Sequence, residues 1–549
     1  MDAQKIIKIL PLGGIDEIGK NMTVIEYKNE IIIIDCGLGF PTNDLLGVNV
    51  LIPDFSYIIK NKHKIRGLVI THAHEDHIGA LPYLLDYINP IIYCTEFTAG
   101  VIDAKLSEEQ LSKSHKRIVR AGQIERLGNF NVEFIHTNHS IAGSVAVAIR
   151  TEIGTIIHTG DFKIEENSSL VRPIDMKRFK ELGDAGVLVL MSDSTNATKE
   201  ENTLNDNIVG HSLEKFVHAS TQRIIIATFA SNIYRMQQIL DVAEKNNRKV
   251  AVSGRSMVNM LNVAKNLGYI KYRDTTLIDI NDINKVPDNE LLIITTGSQG
   301  EEMSALYRIA NNIHKQIKIT KNDKILLSSS PIPGNEKAIL GMINLLMRRG
   351  AEVIYEKESE IHTSGHACQK ELKQMLLACK PKFFIPVHGE FMHLKKHQEI
   401  AQNCGLKPEN IQIPVNGYSI LVTQKGTQLG TYIGCGAIYI NDYGAGLIGQ
   451  KEVETRKTIA DHGCLVIDLL FNKGMAYKVL LKNIGFLAEG VLQEKEYQLK
   501  FMIDTFIQKC KDEGIKKPQD IEQIVKEGIE NYLLNEGRYS PLVLVSVLQ

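Results

Sequence analysis

Residues 71–79 read "THAHEDHIG", directly behind the apolar run "IRGLVI". His72, His74 and His77 share six positions with Glu75 and Asp76. In an extended loop alternate side chains project to one side, so His72, His74 and Asp76 face together while His77 turns toward a second centre. Imidazole and carboxylate suit zinc or manganese, and a catalytic ion keeps only about three protein ligands so that water can occupy the rest. Gathering so many titratable groups without a cation would cost on the order of several kcal/mol in desolvation and repulsion. The stretch therefore points to metal-assisted chemistry.

Two ions need further donors, and the chain offers them in the same local setting. His139 in "FIHTNHS", Asp161 in "IIHTGDF" and His388 in "FFIPVHGE" each follow an apolar run. Four loops at strand ends would then meet at one edge of a pair of sheets. His136 and His158 lie inside their strands, where a packed or surface role is the better reading.

The elements that must position these loops fall into four stretches. Up to about residue 195, short β-branched runs such as "EIIIIDCG", "GLVITH", "VEFIHT" and "GVLVLMSD" alternate with helical patterns such as "GALPYLLDYI", which predicts sheets covered by helices. From about 210 to 365 the rhythm is strand then helix, as in "RIIIATFA" followed by "SNIYRMQQILDVAEKNN", the pattern of a parallel, helix-flanked sheet. Residues 370–435 return to the first style, so the second domain reads as an insertion into the first. A tail of about a hundred residues carries strands and amphipathic helices and predicts a small α+β domain. The expected boundaries are 1–205 for the first part of the interrupted domain, 206–368 for the insertion, 369–447 for the second part, and 448–549 for a linker and the terminal domain.

Composition limits the partners. Hydrophobic residues make up 44% and charged residues 23% of the 549, ordinary values for a folded globular chain. The formal net charge of -1 supplies no global basic field, so any polyanion must be held by a local groove or by bound metal. Eight scattered cysteines without a C-x-x-C pair read as reduced thiols, hence a cytoplasmic protein. No stretch approaches the roughly 20 apolar residues of a membrane span, and the amino terminus lacks a signal-type apolar core. Neither export nor membrane insertion is expected.

With these residues in view, the chain resembles the metallo-β-lactamase superfamily, whose hallmark H-x-H-x-D-H is followed by a distant His, a distant Asp and a final His. Within that superfamily the insertion resembles the β-CASP group, whose further motifs correspond to Asp193 in "LMSDSTNAT", His366 in "IHTSGHACQ" and His388 in "PVHGE". The opening "LPLGGIDEIGKNM", the phrase "IIIIDCGLGFP" and the compact terminal domain are similar to the bacterial ribonuclease J family. This resemblance implies an α/β fold: a metallo-β-lactamase αββα sandwich interrupted by a β-CASP parallel α/β domain, with a small C-terminal α+β domain.

The resemblance also implies roles. His72, His74 and His139 would hold one divalent ion, Asp76, His77 and His388 a second, and Asp161 would bridge them. Zinc is expected first, with manganese as the alternative, and the catalytic set would be Asp76, Asp193 and His366. His366 would protonate the leaving 3'-oxygen and Asp193 would orient it, with a turn or cap in "SDSTN" as the lesser reading of Asp193. Ser231, Asn232 and Ile233 at a helix start, with His362, Thr363, Ser364, Gly365 and His366, would form a pocket for a 5'-phosphate. The implied function is ribonucleolytic maturation and decay, 5'-to-3' on 5'-monophosphorylated single-stranded RNA (mRNA and rRNA precursors), with endonuclease activity.

Two rival readings stand beside it. One is another hydrolase of the same fold, such as a tRNA 3'-processing endonuclease. The other is a mainly structural subunit of an RNA-decay assembly, against which the complete H-x-H-x-D-H motif argues. The apolar end "YSPLVLVSVLQ" suggests a homodimer or homotetramer, with a paralogous subunit or the ribosome as further partners and no membrane. A structural cation near Asp44 or Asp442 is a weaker expectation.

Overall fold

The computed structural model describes residues 5–42, 44–165, 171–332, 334–355, 360–441, 446–471, 477–537 and 540–548; Asp442 lies outside them. The chain forms two compact units, Met1–Gly39 with Ile52–Ala437, and Phe40–Leu51 with Ile438–Gln549.

In the first unit two sheets face one another. One has eight strands and the other six, and their facing sides interdigitate in one core. Alternation along each strand produces it: Val132 and Phe134 point into this core while Ile135 points the other way, and Val145, Val147 and Ile149 alternate with Ala146 and Ala148 in the same manner. The period of two in side-chain direction gives each strand of the six-stranded sheet two buried faces. Its second face is covered by the helices Met176–Ala185, Gln369–Cys379 and Phe391–Asn403, through residues such as Phe179, Met375 and Ile400. The strand Glu30–Ile34, with four consecutive isoleucines, sits between an antiparallel and a parallel neighbour, where β-branched side chains are favoured on both faces.

Strand direction decides where the polar loops emerge. Glu30–Ile34 and Ile65–Val69 run parallel in the first sheet. In the second sheet Thr155–His158, Val187–Asp193 and Phe383–Val387 are mutually parallel, and Phe130–His136 shares their direction because it is two antiparallel steps away. Residue 193, which ends its strand, and residues 35, 72–77, 139, 161 and 388, which follow theirs, therefore all lie at carboxyl ends.

Between Val187–Asp193 and Phe383–Val387 the chain makes a five-stranded parallel sheet from Arg223–Ala227, Lys249–Ser253, Leu291–Thr295, Asp323–Leu327 and Glu352–Ile354. Its central strands are buried throughout and apolar except for Arg223 and Thr295 at their ends, as a sheet covered on both sides favours. The fold is thus the α/β class anticipated from the sequence, an αββα sandwich with an inserted parallel α/β domain.

A buried ionic hub fastens the insertion to the sandwich. Asp206, at the start of the helix Asp206–His218, accepts from Lys163 at 2.5 Å and Arg235 at 3.2 Å. Arg235 also donates to the carbonyl of Ile361 at 2.5 Å and to Ser328 at 2.8 Å. Burial alone would raise the Asp206 pKa, but Lys163 and Arg235 hold it below the usual carboxylate value. The hub fixes the segment that leads into residues 362–366.

In the second unit Cys464–Phe471 pairs antiparallel with Tyr477–Ile484 and parallel with Leu542–Leu548. The helices Glu489–Asp512 and Pro518–Gly537 bury Leu499, Ile503, Val525 and Ile529 in the same core, giving the α+β character expected of the tail. The terminal strand Leu542–Leu548 takes an outer place in this sheet, with Val543 buried and Leu544 largely exposed. Of the residues that the sequence reading assigned to the sandwich, Phe40–Leu51 and the stretch from Ile438 group with this unit. No helix among the described residues is long and apolar enough to cross a membrane.

Candidate metal centre

The converging loops bring seven predicted donors together. His72, His74, His139 and Asp161 form one group whose donor atoms lie within 4.8 Å of one another, and Asp76, His77, Asp161 and His388 form a second. Asp161 is common to both. One of its oxygens, Oδ2, lies 3.3 Å from His77 Nε2, 3.5 Å from His72 Nε2 and His388 Nε2, and 3.6 Å from His139 Nε2.

Local conformation sets each donor. His74 immediately precedes the short helix Glu75–Ile78, which carries Asp76 and His77 into the site. Gly37 lets the chain pass directly beneath that helix, since a Cβ there would lie 1.6 Å from the Asp76 carbonyl oxygen. His388 has a positive φ of 55°, and its amide donates to the Gly14 carbonyl at 2.8 Å. Such strain is held by the surrounding structure and gathers at functional positions.

The hydrogen-bond directions test whether these residues suit a cation. Thr71 Oγ1 donates to Asp35 Oδ2 at 2.9 Å and so accepts from His72 Nδ1 at 3.0 Å. The His139 Nδ1–H donates to the Gly365 carbonyl at 2.7 Å. Both rings are thereby fixed with the Nε2 lone pair facing inward, and both lone pairs face His74 Nδ1, at 3.1 and 2.9 Å. One proton on His74 cannot satisfy two acceptors, and the Asp161 carboxylate beside them is a third. A cluster of lone pairs with too few hydrogens is the environment a divalent cation completes.

Protonation agrees with this. Burial holds His72 and His74 well below the usual imidazole value and pushes His139 down to about 3, so all three are neutral, as ligands must be. At the second group burial also opposes charge, but the carboxylates of Asp161, Asp76 and Asp35 raise His77, and Asp161 above all raises His388, to about 9. A divalent ion held there would supply the positive charge that these two imidazoles otherwise carry beside the carboxylates.

Two contributors, Asp35 and Asn21, were not singled out from the sequence, and Gly365, expected in the phosphate pocket, turns its carbonyl to a ligand ring. Asp35 Oδ2 contacts His77 Nδ1 at 2.8 Å, and Oδ1 accepts from the Thr71 amide at 2.8 Å, so one carboxylate orients two loops. Its signal was visible, an acid ending the apolar run "IIIIDCG" as Asp161 follows "TIIH". Asn21 donates to the Asp76 carbonyl at 3.1 Å, and the Gly365 carbonyl aims His139. Asp35→Ala is expected to weaken metal affinity by about 10- to 100-fold, the usual loss when a ligand's orienting partner is removed. Competition with a chromogenic chelator measures it, and unaltered affinity would refute the role.

His366 and Asp193 adjoin this centre. His366 Nδ1 lies 2.8 Å from Asp193 Oδ2 and 3.9 Å from Asp161 Oδ2. The turn reading of Asp193 also holds, on its other oxygen, which accepts the Thr195 amide at 2.9 Å. Burial opposes the imidazolium, yet Asp193 and Asp161 raise the His366 pKa above its ordinary value. His136 and His158 stand outside the donor groups: His136 Nε2 faces the Arg172 carbonyl at 3.0 Å, and His158 Nδ1 accepts the Gly160 amide at 3.1 Å.

The expected phosphate residues are less uniform. Asn232 is 5% exposed and spends its side-chain oxygen on the Arg235 amide at 3.0 Å, capping its own helix. Ile233 is wholly buried, Thr363 donates to the Leu204 carbonyl at 2.6 Å, and Ser364 accepts from Asn196 at 2.8 Å. Gly365 packs on the His139 ring, where a Cβ would sit 2.7 Å from Cε1. Ser231, His362, Ser364 and His366 keep partial exposure, and the His362 Nδ1 is buried without a partner.

Comparison with known proteins places this architecture. Residues 15–205 match the family model "Metallo-beta-lactamase superfamily", 221–346 match "Ribonuclease J, beta-CASP domain", and 350–414 match "Zn-dependent metallo-hydrolase RNA specificity domain". A crystal structure titled as a protein of unknown function from Enterococcus faecalis V583 superposes with a TM-score of 0.54 at 16% identity, covering 76% of this chain and 100% of that one, which speaks to the fold alone. Fold and site together define a metal-dependent ribonuclease built on the metallo-β-lactamase and β-CASP domains, with RNA as its ligand.

The chain belongs to the ribonuclease J family. It is 39% identical over 551 residues to Ribonuclease J of Helicobacter pylori, covering 99% of this chain and 80% of that protein. It is 42% identical over 470 residues to Ribonuclease J of Synechocystis, covering 85% and 73%, and 33% identical over 549 residues to Ribonuclease J2 of Bacillus subtilis, covering 99% and 98%.

Proposed function

We propose that the protein degrades and matures single-stranded RNA from a 5'-monophosphate end, releasing nucleotides 5'-to-3' and cutting internally as a secondary activity. The observation that carries the reading is the arrangement of seven inward-facing donors around the shared oxygen of Asp161, with the His366–Asp193 pair on the adjacent side.

His72, His74 and His139 would hold one ion, Asp76, His77 and His388 the other, and Asp161 would contact both; zinc is the first expectation and manganese the second. Two such ions supply charge compensation at phosphorus and acidify water. The protein's own groups do the rest. Thr71, Asp35 and the Gly365 carbonyl fix the ligand rings, so no reorganisation is needed as charge develops. His366, kept protonated by Asp193, donates to the leaving 3'-oxygen. His362 and Ser364, on the segment that Arg235 holds through Ile361, offer polar atoms for the 5'-phosphate, with Ser231 at the adjoining helix start.

The outer strand Leu542–Leu548 supports pairing with a second copy, giving a homodimer or, by two such contacts, a homotetramer. A cytoplasmic setting, with a paralogous subunit or the ribosome nearby, accords with RNA turnover.

One RNA prepared with either a 5'-monophosphate or a 5'-triphosphate, its products sized at both ends, tests the reading. Mononucleotides should accumulate from the monophosphate form while the triphosphate form is consumed more slowly and yields internal fragments. Equal rates on the two ends would overturn the 5'-end dependence, and loss from the 3' end would overturn the polarity.

A further inference from the structure

The inserted domain contains a polar cavity, of about 640 Å³, beside the carboxyl ends of Lys249–Ser253 and Leu291–Thr295. The two strands are neighbours, but their connections diverge. The helix Arg255–Asn266 after the first packs on the helix Ile233–Lys245, whereas Ala305–Ala310 after the second joins the core on the other face through Leu306 and Ile309. In open parallel sheets the crevice left by such divergence is where ligands bind.

Its chemistry selects an anion. Arg255 and Arg308 line the cavity, no aspartate or glutamate is among its lining residues, and among the described residues neither guanidinium forms an ion pair. Ser253, 4% exposed, also lines it, and its hydroxyl hydrogen is directed by a chain of bonds. His314 Nδ1 accepts the amides of Gln316 and Ile317, at 3.2 and 3.0 Å. The neutral ring therefore carries its proton on Nε2 and donates it to Ser253 Oγ at 3.0 Å. Burial, and then the charge of Arg308, lower the His314 pKa and keep it neutral. The Ser253 hydroxyl hydrogen is left for an acceptor that the described residues do not supply. Gly254, with φ +113°, opens the backbone at this point, since a Cβ would meet Thr296 Oγ1 at 2.5 Å. The remaining wall includes Val258 and Ile280, apolar surface suited to a base.

We propose that this cavity is a nucleotide-phosphate site, separate from the metal centre, in which Arg255, Arg308 and the Ser253 hydroxyl receive the phosphate. Two sources share that chemistry, a free mononucleotide and a phosphate of the RNA strand. Guanidinium and hydroxyl donors to phosphate are charge-assisted, so loss of either should weaken binding by about tenfold or more.

The test uses the full-length holoenzyme, its Ser253→Ala variant and its Arg308→Gln variant, with thermal unfolding measured on each. One arm titrates AMP by calorimetry and the other measures KM for RNA hydrolysis. Weaker AMP binding with unchanged KM assigns the site to free nucleotide; a raised KM with unchanged AMP binding assigns it to the RNA strand. A change in both supports a site that serves both. If neither quantity moves in either folded variant, or AMP binding is undetectable while KM is unchanged, the proposal is overturned.

Discussion

Asp161→Ala is expected to abolish RNA hydrolysis, lowering turnover by about four orders of magnitude or more, while leaving a folded protein with little bound metal. The size follows from position. Asp161 Oδ2 lies within 3.6 Å of four imidazole nitrogens that belong to two donor groups, so under the proposed two-ion reading its removal would take a ligand from each ion. Metal-derived charge stabilisation is worth several kcal/mol, and each 1.36 kcal/mol is a factor of about ten in rate. The fold should survive, because Asp161 sits in a loop beyond Thr155–His158 and the alternating cores do not depend on it. Metal content by mass spectrometry and the midpoint of urea unfolding separate the two losses. Normal turnover at wild-type metal content would refute the assignment of the centre.

His366→Ala should slow hydrolysis by roughly two to four orders of magnitude with metal content intact, the range for a lost general acid. Its pH dependence distinguishes the role. The carboxylate of Asp193 raises the His366 pKa, so the protonated acid persists to higher pH than for an isolated imidazole. Activity that depends on it should fall as pH rises through that value. Asp193→Asn removes the partner at 2.8 Å and should move the alkaline limb to lower pH, whereas His366→Ala should erase the limb. His366 also belongs to a third donor group with Asp161, Asp193 and His388. If the alanine variant loses metal in proportion to activity, His366 is a ligand and not the acid.

Both predictions rest on residues whose types were legible one loop at a time. "THAHEDHIG" announces a cation because no inexpensive alternative exists for so many clustered titratable groups. His139, Asp161 and His388 stood out because each follows an apolar run, the same local setting as the first motif. Asp35 obeyed the same rule and was passed over, because its role is to orient His77 across two loops, a relation with no local signature. Asn232 marks the opposite limit. A polar residue opening a helix has the same sequence pattern whether it meets a ligand or caps its own helix, and here it caps.

The sequence by itself determined the ligand chemistry, the sheets covered by helices, and the insertion of a parallel domain, because each shows in side-chain types and in their rhythm along the chain. Tertiary structure decided which strands are parallel neighbours, and hence that loops as far apart as 35 and 388 leave from like ends. It decided that His136 and His158 turn away while His72 and His139 present unshared lone pairs to a common point. Those outcomes depend on strand order and on hydrogen bonds from Thr71 and from the Gly365 carbonyl, made between segments distant in the chain, and no window of adjacent residues contains them.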